Sequence, residues 1–89
     1  MKKKCSVYYS ECISYTIMDG EVFVFNEDTN KLYILKEKEK VIWELINIMN
    51  DVESIHEKLK NVFVISVEDV EQHIKRLCDA ELLYIQEDK

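Results

Sequence analysis

EVFVFNEDTNKLYIL, running from Glu21 to Leu35, decides how the chain folds. It is two β-forming runs around a polar turn. Val22, Phe23, Val24 and Phe25 make the first run, and Leu32, Tyr33, Ile34 and Leu35 the second. Asn26-Glu27-Asp28-Thr29-Asn30 between them is a turn-favouring cluster that breaks a β run. β-branched and aromatic side chains suit a pleated, half-buried surface, and no proline interrupts the ladder. Everything after Leu35 has helical spacing, so the second run is the last strand of a small sheet and is left with a free edge.

Upstream, Ile13, Tyr15 and Ile17 alternate with Ser14, Thr16 and Met18, which predicts a strand over about Cys12 to Ile17. Asp19-Gly20 is a tight-turn pair feeding Glu21. Lys2 to Ser6 reads as a solvated, frayed end. The first half is therefore a three-stranded antiparallel meander, with strands at about Cys12 to Ile17, Glu21 to Asn26 and Lys31 to Leu35. Three strands need a second layer to be stable in water.

The second half supplies that layer. Val41, Ile42, Leu45, Ile46 and Met49 recur at helical spacing over Glu37 to Met49, with Trp43 expected at a rim of the core. Asp51 is placed to cap a short helix ending near Asn61, with Val52, Ile55, Leu59 and Val62 inward. Ser66-Val67-Glu68-Asp69 has the form of a capping box. It opens a helix to about Ala80 with Val67, Val70, Ile74, Leu77 and Cys78 on one face. Leu82 to Ile85 is a last extended run. The fold class is α+β, winged helix-turn-helix-like: a three-stranded antiparallel sheet, three helices and a short terminal strand.

Composition narrows the function. A chain of 89 residues makes one small domain, expected over residues 1–89 with its core at about 12–85. No apolar run approaches the roughly 18 residues of a membrane span. Met1 and three lysines imitate the basic end of a signal peptide, but Ser6, Ser10, Glu11 and Ser14 interrupt the apolar region that should follow. A cytoplasmic protein is expected. Met1 and the charged end from Gln86 to Lys89 point to a stand-alone protein rather than a domain of a larger enzyme. Cys5, Cys12 and Cys78 are odd in number and lack Cys-x-x-Cys spacing, so they read as free thiols and support neither zinc nor disulfides.

Nothing marks a catalytic set. His56 and His73 lie on different helices, neither with a Cys or a second His at ligand spacing. Nucleophile, base and orienting group must converge in catalysis. A single glycine leaves no phosphate-binding loop. The carboxylates of Glu37, Glu39, Asp79 and Glu81 read as solvated faces. No enzyme activity, cofactor or metal is expected.

Helices after a small sheet suit DNA binding through the last helix, and charge tests that reading. Ser66 to Glu81 carries Glu68, Asp69, Glu71, Asp79 and Glu81 against Lys75 and Arg76 alone. The chain as a whole has net charge −6. Phosphate would be repelled, so no nucleic-acid partner is expected. Only Lys2 to Lys4 support the DNA alternative.

Taken together, Gly20 to Ile85 resembles the PqqD-like family, the leader-peptide recognition elements of pathways that make ribosomally synthesised, modified peptides. The residues that carry the resemblance are N-E-x-T-x-K-L-Y-x-L at Asn26 to Leu35, V-I-W-E-L-I at Val41 to Ile46 and V-E-S-I-H-E-K-L at Val52 to Leu59. F-x-I-S-V-E-D-V from Phe63 to Val70 and I-K-R-L-C-D-A-E-L-L from Ile74 to Leu83 complete it. Two positions depart. Lys36 stands where the family often has Asn after the strand, and Ala80-Glu81 where it often has Gly near the end of the third helix.

The resemblance implies a non-catalytic module of a bacterial natural-product pathway, which binds the leader of a precursor peptide and presents it to a maturation enzyme. It implies that the leader adds as a strand to the edge of Lys31, Leu32, Tyr33, Ile34 and Leu35, and lies against the third helix. Strand addition takes affinity from the backbone and specificity from side-chain pockets. The alternative is an edge covered by Leu82 to Ile85, since edge strands are commonly blunted. One face of the strand carries Lys31, Tyr33 and Leu35, the other Leu32 and Ile34, and either set could face the core. On the helix, Val70, Ile74 and Leu77 centre the apolar stripe. Asp69, His73, Arg76 and Ala80 line the flank expected to wall the groove; Glu71, Lys75 and Cys78 line the other. Arg76 would pair a leader carboxylate and Asp69 a leader cation. A monomer or weak dimer is expected. Besides the DNA alternative stands an adaptor for a folded partner.

Overall fold

A computed structural model of the chain describes residues 5–87. Lys2 to Lys4, which carried the signal-peptide and DNA alternatives, lie outside the described residues. Eight elements follow in order: β1 (Cys5–Tyr9), β2 (Ile13–Met18), β3 (Glu21–Asn26), β4 (Lys31–Leu35), α1 (Glu37–Ile46), α2 (Val52–Leu59), α3 (Val67–Asp79) and β5 (Leu83–Glu87). They form an α+β fold with two sheets, a three-stranded antiparallel sheet ordered β2-β3-β4 and a two-stranded ribbon of β1 and β5.

The predicted meander is present, and its turns are the ones the residues favour. Asp19 and Gly20 both take positive φ, +54° and +76°, so the two-residue link between β2 and β3 has the twist that matches paired strands. Residues 27–30 close the next hairpin, with Asn30 left-handed at φ +59° and its N–H donating to the Asn26 carbonyl at 2.8 Å. Inward positions of β3 read Val22, Val24 and Asn26, all fully buried.

The ribbon changes the expected picture. Cys5 and Ser6, expected in a frayed end, belong to β1 and pair with Glu87 and Gln86. Val7 is fully buried, so the core begins well before the expected start near residue 12. Its N–H donates to the Asn50 carbonyl at 2.7 Å, which fastens β1 to the junction of α1 and α2. Trp43 is fully buried, not at a rim. β1 is the reason: the Tyr9 ring lies 4.5 Å from the Trp43 ring, and the Tyr9 hydroxyl donates to the Trp43 carbonyl. Burial first and Tyr15 second push the Tyr9 phenol above its ordinary range.

The helices carry the rest of the core. Ile42 and Ile46 of α1, Ile55 and Leu59 of α2, and Val70, Ile74 and Leu77 of α3 are buried against one another and the sheet. Val62 was expected inward but is 72% exposed, because α2 ends at Leu59 and Phe63 takes the inward place. Asp51 stands at the N-cap of α2, yet its side chain accepts from the Ser54 hydroxyl instead of a backbone N–H. Ser66 and Asp69 do form the capping box. Each side chain accepts from the other's backbone N–H, at 3.1 and 3.2 Å. The Ser66 backbone N–H, and then its side chain, hold the Asp69 carboxyl below the usual carboxylate range.

α3 ends in a motif that glycine usually completes. Leu82 N–H donates to the Leu77 carbonyl at 3.0 Å and Glu81 N–H to the Cys78 carbonyl at 2.9 Å, with Glu81 at φ +63°. Glu81 thus takes the left-handed conformation that glycine most often supplies at a helix end. For a residue with a Cβ that conformation costs about 1 kcal/mol. Leu82, next in the chain, is fully buried.

Candidate peptide-binding edge

β4 pairs with β3 on one side only. Among the described residues no strand occupies its other edge, because β5 pairs with β1. The alternative of an edge covered by the terminal segment is thereby overturned. Half of an edge strand's N–H and C=O groups point away from its neighbour and stay available to another chain.

The register settles which side chains face the core. Val22 opposes Leu35 and Val24 opposes Tyr33. Opposed residues share a face, so Lys31, Tyr33 and Leu35 lie on the buried side. Leu35 is buried, Tyr33 half-buried and Lys31 exposed at the end of the strand. Leu32 and Ile34 face outward, 59% and 48% exposed. Beyond Leu35, Lys36 meets Glu21 at 3.1 Å, which gives the residue in the family's Asn position a partner across the sheet.

Two contacts tie α3 to the elements on either side of β4 in the chain, β3 and α1. At the start of β4, Lys31 opposes Asn26, and the Asn26 side-chain amide donates to the Glu81 carbonyl at 2.9 Å, just past the end of α3. At the other end, four residues after Leu35, Glu39 meets the middle of α3. Its carboxylate accepts from the Arg76 guanidinium and lies 3.2 Å from His73 Nδ1. Of the two flanks of α3, the one bearing Asp69, His73 and Arg76 is therefore turned toward the junction of β4 and α1. Ala80, at the C-cap, is half-buried against the core.

The expected site residues divide in two. Leu35, Val70, Ile74 and Leu77 are at most 3% exposed, so they are core beneath the surface rather than part of it. Their burial follows from lying at the centre of the apolar faces. Lys31, Leu32, Tyr33, Ile34, Asp69, His73, Arg76 and Ala80 retain accessible surface. The expected free Arg76 is instead held by Glu39, whose side chain is only 12% exposed. Glu39 is thus no solvated carboxylate. With Arg76 at 67% exposure the pair is strongly screened, and a double-mutant cycle of Glu39→Gln and Arg76→Gln, followed by urea unfolding, should give a coupling of about 0.5–1 kcal/mol that shrinks with added salt.

Sequence reasoning missed Asn26 as a structural residue. Its side-chain carbonyl accepts the N–H groups of Asp28 at 2.9 Å and Thr29 at 3.0 Å, with the Cys12 thiol at 3.7 Å, while its amide donates to Glu81. The signal was in the period of β3: Asn26 occupies the third inward position after Val22 and Val24.

His56 and the thiols of the described residues have structural surroundings. His56 Nε2–H donates to the Ile65 carbonyl at 3.0 Å and so braces the loop before α3. The three cysteines are free thiols; burial pushes Cys12 and Cys78 up, with Asp28 and Asp79 adding to it, which disfavours the thiolate nucleophile. Among the described residues, no three His, Cys, Asp or Glu side chains gather to hold a metal, and no helix is long and apolar enough to cross a membrane.

Comparison with solved structures decides the fold. TbiB1, solved in complex with the TbiA(beta) leader peptide, superposes with a TM-score of 0.74 over 84% of this chain and 92% of that one, at 22% sequence identity. The chain has the fold of TbiB1. No family model matches the sequence, and no curated protein matches it significantly.

Proposed function

We propose that this protein is a non-catalytic peptide-binding module. It holds the leader segment of a ribosomally made precursor peptide and presents it to a modifying or processing enzyme. The leader adds as a strand to the open edge of β4 and lies against the Asp69–His73–Arg76 flank of α3. The observation that carries this reading is the edge of β4 left unpaired among the described residues, in a fold shared with a protein whose structure holds a leader peptide. Backbone hydrogen bonds supply affinity without reading sequence, and the side chains on either side of the edge supply selectivity. The benefit to the partner enzyme is proximity, since a tethered substrate sees its active site at high effective concentration. A single small domain with reduced thiols suits a cytoplasmic monomer or weak dimer.

The DNA-binding reading loses further ground, because Arg76, one of two cations on α3, is already neutralised by Glu39. An amide NMR titration tests both readings. One sample receives a leader peptide from a precursor encoded beside the gene, and a second receives a short DNA duplex. Shifts centred on residues 31–35 and on the His73 flank of α3, with peptide alone, are the expected result. Shifts with DNA alone, or with the peptide but confined to α2, would refute the edge-binding module.

A further inference from the structure

Outward side chains of the three-stranded sheet form two cross-strand rows. Ser14 opposes Phe25, which opposes Leu32; Thr16 opposes Phe23, which opposes Ile34. Each row is polar at the β2 edge, aromatic in the middle and aliphatic at the β4 edge. An edge left to solvent is usually blunted by charged or polar side chains, and β2 follows that habit at Ser14 and Thr16, though not at Met18. β4 does the reverse. Leu32 and Ile34 have an aromatic neighbour toward β3, and on their other side 59% and 48% of their surface meets water.

We propose that the bound segment is read on its outward face as well as in the groove: Leu32 and Ile34 select an extended peptide with apolar residues two positions apart. This rests on the peptide-binding reading and names the ligand class of that same edge. In an added strand, alternate residues share a face with Leu32 and Ile34, with Cβ atoms about 5 Å away. Two apolar side chains at i and i+2 would extend both rows by one member and cover the aliphatic ends. The intervening residue faces the α3 side, where Arg76 and His73 are already engaged by Glu39. A peptide strand fits this surface better than a folded partner or a second copy does, because the apolar character of both rows rises toward the open backbone edge of β4. At β2 the same two rows end in Ser14 and Thr16, with Met18 further along the strand exposed opposite Glu21.

The test is selection from a display library of randomised twelve-residue peptides, on the wild-type protein and on a Leu32→Thr/Ile34→Thr variant. Threonine keeps β propensity, and both positions are exposed, so the fold should persist and is checked by amide NMR. Peptides enriched on the wild type should carry apolar residues at i and i+2. That spacing should vanish from selections on the variant, and wild-type-selected peptides should bind the variant about tenfold more weakly. Equal affinity and unchanged preferences on the variant would overturn outward-face reading while leaving leader binding intact. A wild type that self-associates through this face, with the variant monomeric in sedimentation, would also overturn it in favour of a second copy. A library from which the wild type enriches nothing would sink this inference together with the reading beneath it.

Discussion

N-methylating alternate backbone nitrogens of the bound leader segment is expected to abolish binding in one phase and to spare it in the other. An added strand turns every second N–H toward β4 and the rest toward solvent. Methylating the inward set removes two or three donors and wedges methyl groups into the ladder. Each lost backbone hydrogen bond is worth about 0.5–1.5 kcal/mol net. The inward-methylated peptide should therefore bind at least about a hundredfold more weakly, as two or three such losses approach 3 kcal/mol. The other phase should change affinity by roughly threefold or less, which is within the scale of a peptide's altered conformational preference. Isothermal titration of the two peptides against the unmodified protein reads this directly, with no risk of unfolding the domain. Equal losses in both phases would mean that the segment is held by side chains alone, or as a helix, and strand addition would be abandoned.

Asn26 is the position where the largest loss of stability is expected. It is fully buried, and its one side chain ties the loop after β3 to the residue that follows α3. Asn26→Ala leaves two backbone N–H groups and the Glu81 carbonyl without their partners; unsatisfied buried groups cost about 1–3 kcal/mol each before water relieves them. A total near 3 kcal/mol is expected from urea unfolding, a large part of a small domain's stability. Asn26→Asp should cost at least as much, because a carboxylate keeps the acceptor but aims a second one at the Glu81 carbonyl. Peptide affinity should fall as well, since this amide fixes Glu81, just past α3, against the end of β3, where the hairpin into β4 begins. A loss below about 1 kcal/mol for Asn26→Ala would show that water replaces the side chain, and that the spacing of helix and strand is set elsewhere.

Glu39 and Asn26 show where sequence reading stops. Local context alone makes Glu39 a solvated acid in a helix's first turn and Asn26 a turn residue. Each acquires its role from a partner far along the chain, Arg76 or Glu81. Trp43 is the same case in the core. Helical spacing puts it at an edge, and Tyr9 of β1 with Tyr15 of β2, both distant in the chain, cover it.

What the sequence determined by itself was everything with a local cause. Asp19-Gly20 could turn only tightly, Ser66 and Asp69 could satisfy each other's N–H groups, and β-forming runs at β2, β3 and β4 bounded by turn residues fixed the hairpins. The tertiary structure decided what depends on distant pairing. β1 and β5 join across nearly the whole chain length, and this leaves the edge of β4 open. The register with β3 turned Leu32 and Ile34 outward, and Glu39 engaged the His73 and Arg76 flank of α3. The physical reason is one of range. Turns, caps and periodicity arise from interactions within about one turn or one strand spacing along the chain, whereas pairing, burial and partner choice are set by which elements the whole fold brings together.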